Sequence, residues 1–271
     1  MFSLFCEVAL AEISETLKQR DAEEVLRSRE EAQETELTPC EVERYLAPPA
    51  QSAFPLEYTF HLVGDVANKT VFDIGCGTGE SVVVLVHKGA QVIGMDISPE
   101  LIELASRRVE MQCAGLPKPK LAVGSAYETG IPDASVDVVL SNALLHHLDL
   151  PTVLKEIRRI LKPNGRFIIN EPVRLLRVLN TARKLFPDRG NISEFEHPLT
   201  REEYAEIKKF FVLKQERAFR LPFVSLAIKM GTPYKYLRGL LLLDGSLLNH
   251  FSFLRSVAGV RVAAFSPKSL A

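Results

Sequence analysis

The stretch from Thr70 to Pro99, TVFDIGCGTGESVVVLVHKGAQVIGMDISP, admits few folds. Thr70 to Ile74 is a short, apolar, β-rich run that stops at Gly75, Gly77 and Gly79, where a backbone can turn sharply and approach a ligand closely. A helix from Glu80 to about Lys88 follows, and Gly89-Ala90 ends it. Gln91 to Met95 reads as a second buried strand, with Asp96 at its carboxyl end, where open parallel sheets place their ligands. The pattern is half of a nucleotide-binding βαβ unit.

Glycine spacing and charge narrow the ligand. A dinucleotide fingerprint requires glycine or alanine at position 80, which is Glu80, so the glycines fall as G-x-G-x-G instead. Asp73 and Glu80 put negative charge where a pyrophosphate would lie, and like charges at close range are costly in a dehydrated cleft. A cofactor with a cationic sulfonium and an ammonium group suits these carboxylates, and Asp96 is placed to accept hydrogen bonds from two ribose hydroxyls. S-adenosylmethionine has those groups. The run Asp73-Ile74-Gly75-Cys76-Gly77-Thr78-Gly79 resembles the first motif of the class I S-adenosylmethionine-dependent methyltransferases, and Gly94-Met95-Asp96-Ile97-Ser98 resembles their second-strand acidic motif. Gly124-Ser125-Ala126 lies where that family contacts adenine, with Ser125 in place of the acid most often found there. Asp137 to Asn142 resembles the family's fourth strand, and Leu161-Lys162-Pro163-Asn164-Gly165 the turn before the fifth. The resemblance spans roughly residues 55 to 172. It implies a Rossmann-like, doubly wound, seven-stranded α/β sheet that binds S-adenosylmethionine and releases S-adenosylhomocysteine. The cofactor contacts it implies are Asp73, Gly75, Cys76, Gly77, Gly79, Asp96, Ile97, Ser125, Ala126 and Asn142.

A chain of 271 residues suits one α/β domain with additions. With 33 Lys and Arg against 34 Asp and Glu, its net charge of −1 provides no global field to gather nucleic acid or acidic membrane. Cys6, Cys40, Cys76 and Cys113 are scattered, which points to reduced thiols in a cytoplasmic protein. The apolar start lacks a basic n-region and is interrupted by Glu7 and Glu12, so no secretion signal is expected, and no window is long enough for a membrane span. The six histidines are dispersed and no metal-ligand spacing occurs, so no catalytic metal is expected.

Before the core, residues 7–36 read as a helix with one weak apolar face: a solvated helix, or, as the resemblance suggests, a lid over the cofactor or a dimer arm. Tyr58 sits on a short helix leading to Leu62 and either covers the site or packs on the first strand. Ser98 and Pro99 start a helix through Met111, Leu121 to Val123 is the third strand, and Tyr127 either stacks on the adenine or packs. Val136 to Ser141 is the fourth strand. Asn142 is followed by Ala143-Leu144 and not by the Pro-Pro-aromatic of enzymes that methylate DNA adenine or protein glutamine, which argues against those substrates. His146 and His147 open the next helix, either as packing residues or with one as a general base. Leu150 to Leu161 repeats at helical spacing, and Arg166 to Asn170 is the fifth strand. Glu171, ending that strand at the ligand edge, is a candidate base, or a residue that pairs with an arginine and orders the loop.

Past Pro172, where class I enzymes choose their substrates, Arg174, Arg177, Arg183, Lys184 and Arg189 recur between apolar residues as a solvated face or a pocket for an anionic group. Ser193 to Thr200 includes His197 as a candidate substrate contact, and Thr200 caps a helix from Arg201. Phe210 to Gln215 and Gly259 to Phe265 read as the last two strands, forming an antiparallel hairpin. Between them Leu221 to Leu254, with Tyr234, is apolar enough to cap a substrate pocket or make a homodimer face. Three regions follow: an N-terminal extension over 1–53, a cofactor-binding core over 54–172, and a substrate lid with the last two strands over 173–271. The expected activity is methyl transfer to a small, largely apolar molecule, with or without an anionic group. The alternative is a catalytically silent relative that binds a partner subunit.

Overall fold

The computed structural model describes residues 2–175 and 197–268, with side chains in the first helix at Glu15 and from Leu17 onward. Arg177, Arg183, Lys184, Arg189 and the segment Ser193 to Glu196 lie outside the described residues. Helices α1 (Phe2–Glu34), α2 (Glu43–Leu46) and α3 (Pro55–Val63) precede strand β1 (Thr70–Ile74). Then come α4 (Glu80–His87), β2 (Gln91–Asp96), α5 (Pro99–Gln112), β3 (Lys120–Val123) and β4 (Val136–Asn142). After a 3₁₀ turn, Leu145–His147, the chain continues through α6 (Leu150–Ile160), β5 (Leu161–Arg174), β6 (Leu199–Thr200) and α7 (Arg201–Phe210). It closes with β7 (Phe211–Phe219), α8 (Pro222–Lys229), α9 (Tyr234–His250), a 3₁₀ turn at Ser252–Val257 and β8 (Val260–Pro267).

The main sheet runs β3-β2-β1-β4-β5-β8-β7, and the two-residue β6 pairs with β5 beside it. From β3 to β5 all pairings are parallel, while β8 is antiparallel to both β5 and β7. The expected seven strands are thus the main path, and β6 is an eighth that a two-residue segment could not announce. Strand residues alternate between two cores: Val71, Val138 and Ile168 face α3 and α4, whereas Phe72, Val139 and Phe167 face α6 and α7. Since β2 lies on one side of β1 and β4 on the other, the strand order reverses at β1 and opens a crevice at the carboxyl ends of β1 and β4.

Local signals account for most boundaries. Ser98 accepts the amide of Leu101 and Pro99 opens α5, Asp149 accepts the amide of Thr152 before α6, and Thr200 with Glu203 forms a capping box on α7. Two expectations need correction. His146 and His147 do not begin the helix after β4 but form a separate 3₁₀ turn, because Asp149 caps a helix that starts only at Leu150. The last two strands are longer than read, to Phe219 and to Pro267, since each pairs along its length with the other.

Candidate active site

The loop after β1 is a left-handed turn of glycines. Gly79 has φ +81°, and a Cβ there would stand 2.9 Å from the Cβ of Ala105 on α5, so nothing larger fits without displacing that helix. At Gly77, φ +50°, a Cβ would meet no protein atom within 4 Å and would intrude on the cavity that Gly77 lines. This cavity, about 270 Å³, has walls of Gly75, Gly77, Asp96, Ile97, Ala126 and Asn142. Asp96 accepts the Gly77 amide on Oδ2 (2.9 Å) and the Ser98 amide on Oδ1 (3.0 Å), which locks the carboxylate. Burial raises its pKa despite the backbone amides of Ser98, Gly77 and Ile97. Beneath the glycine turn Asp73 is fully enclosed and its Oδ2 has no partner. Burial, reinforced by the charge of Asp96, pushes its pKa up to about 8.

Helix α1 closes the top of the crevice. Arg20, Asp21, Glu24, Arg27, Ser28 and Glu31 line the same cavity. Asp21 is hydrogen-bonded to Ser125, and burial raises its pKa. Glu24 lies 3.3 Å from Nδ1 of His147. Burial acts to raise the Glu24 pKa, but the bond and charge of His147 outweigh it and bring the group below its ordinary value. Arg29 reaches Glu100 on α5 at 3.3 Å. These contacts were invisible in the sequence because nothing in a charged helix indicates which loop it will cover.

Below the other wall, Glu171 organises the loop after β4. Its Oε1 accepts the Leu144 and Leu145 amides at 2.9 Å and the Ser141 hydroxyl at 3.2 Å, and its Oε2 meets Nδ1 of His146 at 2.9 Å. With these four donors and full burial, Glu171 reaches no wall of the cavity. The reading of Glu171 as a free base is corrected by this geometry: it is a loop anchor, although its partners are a histidine and amides, not the arginine anticipated. His146 is turned toward Glu171 and His147 toward the cavity, with ring centroids 4.1 Å apart. The anchor therefore positions His147 through the turn that carries it.

Other predicted contacts divide in the same way. Cys76 is buried beneath the turn and Ser125 faces Asp21, so neither forms a wall of the crevice. Tyr58 is corrected to a core residue: it packs on Phe219 with the Arg217 guanidinium over its ring. Tyr127 accepts the Asp149 amide on its hydroxyl and packs with the core beside α6. Tyr234 is exposed and bonds Arg44 instead of reaching the crevice. Arg174 ends β5, and His197 lies 3.7 Å from Glu203, both away from the crevice walls. Among the described residues, no cluster of His, Cys, Asp and Glu could hold a metal ion, and no helix is long and apolar enough to cross a membrane.

The glycine turn, the acidic strand tip and the 3-2-1-4-5 parallel half-sheet define the class I methyltransferase fold. Residues 72–169 match the family described as a methyltransferase domain. The chain is 36% identical to a demethylmenaquinone methyltransferase of Symbiobacterium thermophilum over 108 residues, which are 37% of this chain and 41% of that protein. It spans only 30% to 41% of the length of the curated relatives it matches. Among solved structures, geranyl diphosphate C-methyltransferase from Streptomyces coelicolor superposes with a TM-score of 0.56 at 18% identity, covering 78% of this chain and 76% of that one. The [4+2]-cyclase SpnF superposes with a TM-score of 0.54 at 15% identity, covering 78% and 80%. Both establish the fold.

Proposed function

We propose that the protein is an S-adenosylmethionine-dependent methyltransferase acting on a small, largely apolar molecule. The observation that carries this reading is the pairing of Asp96 at the cavity wall with the buried Asp73, whose Oδ2 has no partner, beneath a glycine floor. That acidic crevice complements a cation and repels a pyrophosphate. Asp96 would hold the ribose hydroxyls and the Gly75 to Gly77 backbone the amino-acid end, while Asp21, held to Ser125, presents a carboxylate where the resemblance places the adenine. S-adenosylmethionine, when bound, supplies an electrophilic methyl group on a sulfonium. The chain's residues would then hold the acceptor in line with it, and α1 would exclude water from above. His147, facing the cavity beside Glu24, would take the acceptor's proton, with His146 and Glu171 as positioning residues.

The acceptor class rests on the apolar walls that the post-β4 loop contributes, Leu144 and Leu148, and on two relatives whose names specify a geranyl diphosphate and a demethylmenaquinone. Calorimetric titration with S-adenosylmethionine and S-adenosylhomocysteine, followed by transfer of labelled methyl from the cofactor into a metabolite extract, tests the proposal. Micromolar binding with labelled product is expected. A second reading, a silent protein that binds a partner, draws on exposed Leu226, Met230, Tyr236, Leu242 and Leu243 on and beside α8 and α9. Cofactor affinity without labelled product in any extract would favour it, and the cyclase among the structural relatives shows that this fold is not restricted to methyl transfer.

A further inference from the structure

A second cavity, about 720 Å³, opens at the carboxyl edge of the sheet, beyond β5, between the end of that strand at Leu175, helix α7, the β7–β8 ladder and the 3₁₀ turn before β8. Five cationic side chains line it, Arg201, Lys208, Arg217, Arg255 and Arg261, against one carboxylate, Glu216. A local surplus of four positive charges on a chain of net charge −1 is not a general property of the surface. Among the described residues, Glu216 is the one carboxylate in its lining. Glu216 accepts from Arg261 at 3.1 Å and from the Tyr204 hydroxyl at 2.9 Å. The remaining guanidinium contacts go to neutral acceptors. Arg217 donates to the carbonyls of Ala50 (2.7 Å) and Ser52 (3.0 Å) and lies over the rings of Tyr58 and Phe219. Arg255 donates to the Leu248 carbonyl (3.1 Å), and Arg261 to the carbonyls of Arg255 and Val260.

Arg261 is 5% exposed, so its charge is held in a dehydrated wall. Holding several like charges together is costly, and carbonyls orient them without cancelling them. The arrangement is preorganised for an anion from outside. One carboxylate on a ligand would offset a single charge of the surplus, whereas a phosphate or diphosphate offsets two or more and presents oxygens that match the guanidinium fork. We propose that this second cavity is a binding site for a phosphoryl-bearing ligand. Leu175, Ala205, Ala218 and Leu248 supply apolar wall beside the charges, which leaves room for the hydrocarbon part of such a ligand. The phosphoryl group can come from the head of the methyl acceptor, since both cavities open at one sheet edge, or from a separate, fully polar phosphate compound.

The test is titration calorimetry of the full chain with inorganic pyrophosphate, inorganic phosphate and hexyl phosphate at constant ionic strength, on the native protein and on a variant carrying Arg201→Ala and Lys208→Ala. Those two residues lie on the solvent-facing side of α7, so the variant retains its core. Pyrophosphate binding is expected, weakened about tenfold or more by the double substitution, in line with the loss of two charge-assisted contacts. Hexyl phosphate binding more tightly than inorganic phosphate assigns the site to an amphiphile's head group, and equal affinity assigns it to a free phosphate compound. Absence of pyrophosphate binding by the native protein, or equal binding by native and variant, overturns the proposal. S-adenosylmethionine titrated into the same samples should bind both proteins equally, which keeps failure of this site distinct from failure of the methyltransferase reading.

Discussion

The crevice at β1 takes its floor and one wall from a continuous run of chain, Gly75 to Ile97, with Ala126 a short way on, whereas the basic cavity gathers residues from α7, β7, α9, a 3₁₀ turn, β8 and Leu175 just past β5. Their charges are also opposed. The first is lined by Asp21, Glu24, Glu31 and Asp96 against Arg20 and Arg27, and the second by five cations against Glu216. One sheet edge therefore presents an acidic pocket fitted to a cation beside a basic pocket fitted to an anion. The first works mainly through backbone geometry, which tolerates little change in the loop. The second works through long side chains on separate elements, which can be exchanged one at a time without disturbing the fold. A fold that keeps one ligand and varies another would separate them in this way.

The largest effect expected is at Glu171, which ties the loop bearing His147 to β5 and lies in register with Arg261 on β8. Glu171→Ala would strand two amides and a histidine, costing about 2–5 kcal/mol in urea unfolding and weakening cofactor binding. Glu171→Gln, which keeps one acceptor, should cost less. If both variants unfold at the native urea concentration, the anchor role is wrong.

Next, Asp96→Ala should weaken S-adenosylmethionine binding roughly a hundredfold, the loss of two charge-assisted bonds, and leave pyrophosphate binding intact. Equal weakening of both ligands would mean that the two cavities are not independent.

Asp73 sharpens the electrostatic side of the contrast. Its folded pKa of about 8 exceeds the ordinary 3.8, so between those values the folded protein holds a proton that the unfolded chain has lost. Stability of the cofactor-free protein should therefore fall as pH rises from about 4 to about 8, and Asp73→Asn should flatten that slope in a pH series of thermal melts. A cationic ligand above Asp73 would favour its ionised form. At pH 7 cofactor binding should accordingly release up to about one proton, seen as a binding enthalpy that varies with buffer ionisation heat, and Asp73→Asn should abolish this variation.

The smallest effect concerns the lid. The Arg29–Glu100 pair is well exposed, so Arg29→Ala should change stability by less than about 0.5 kcal/mol. A larger loss would show that α1 is fastened as a fixed wall and not laid over the crevice by weak polar contacts.

Much of this was legible in the chain itself. Gly75, Gly77, Asp96, Ile97 and Asn142 line one crevice because a βαβ unit puts its loop and strand tips together by local geometry alone, with turn, cap and buried strand all encoded within a few residues. Ser98, Pro99 and Thr200 marked helix starts for the same reason. Tyr58 and Tyr234 were misread because an aromatic residue near a site in sequence says nothing about which face of its helix meets the core.

What the sequence by itself determined was the sheet's parallel half, the glycine turn and the acidic tip, all products of short-range patterning. Only the tertiary structure decided that Glu171 spends its carboxylate on His146 and two amides, that Asp21 from a helix far upstream reaches Ser125, and that five cations from four elements face one cavity. Those pairings depend on strand register and helix placement across long stretches of chain. They are set by how the apolar faces pack together, and no local run of residues carries that information.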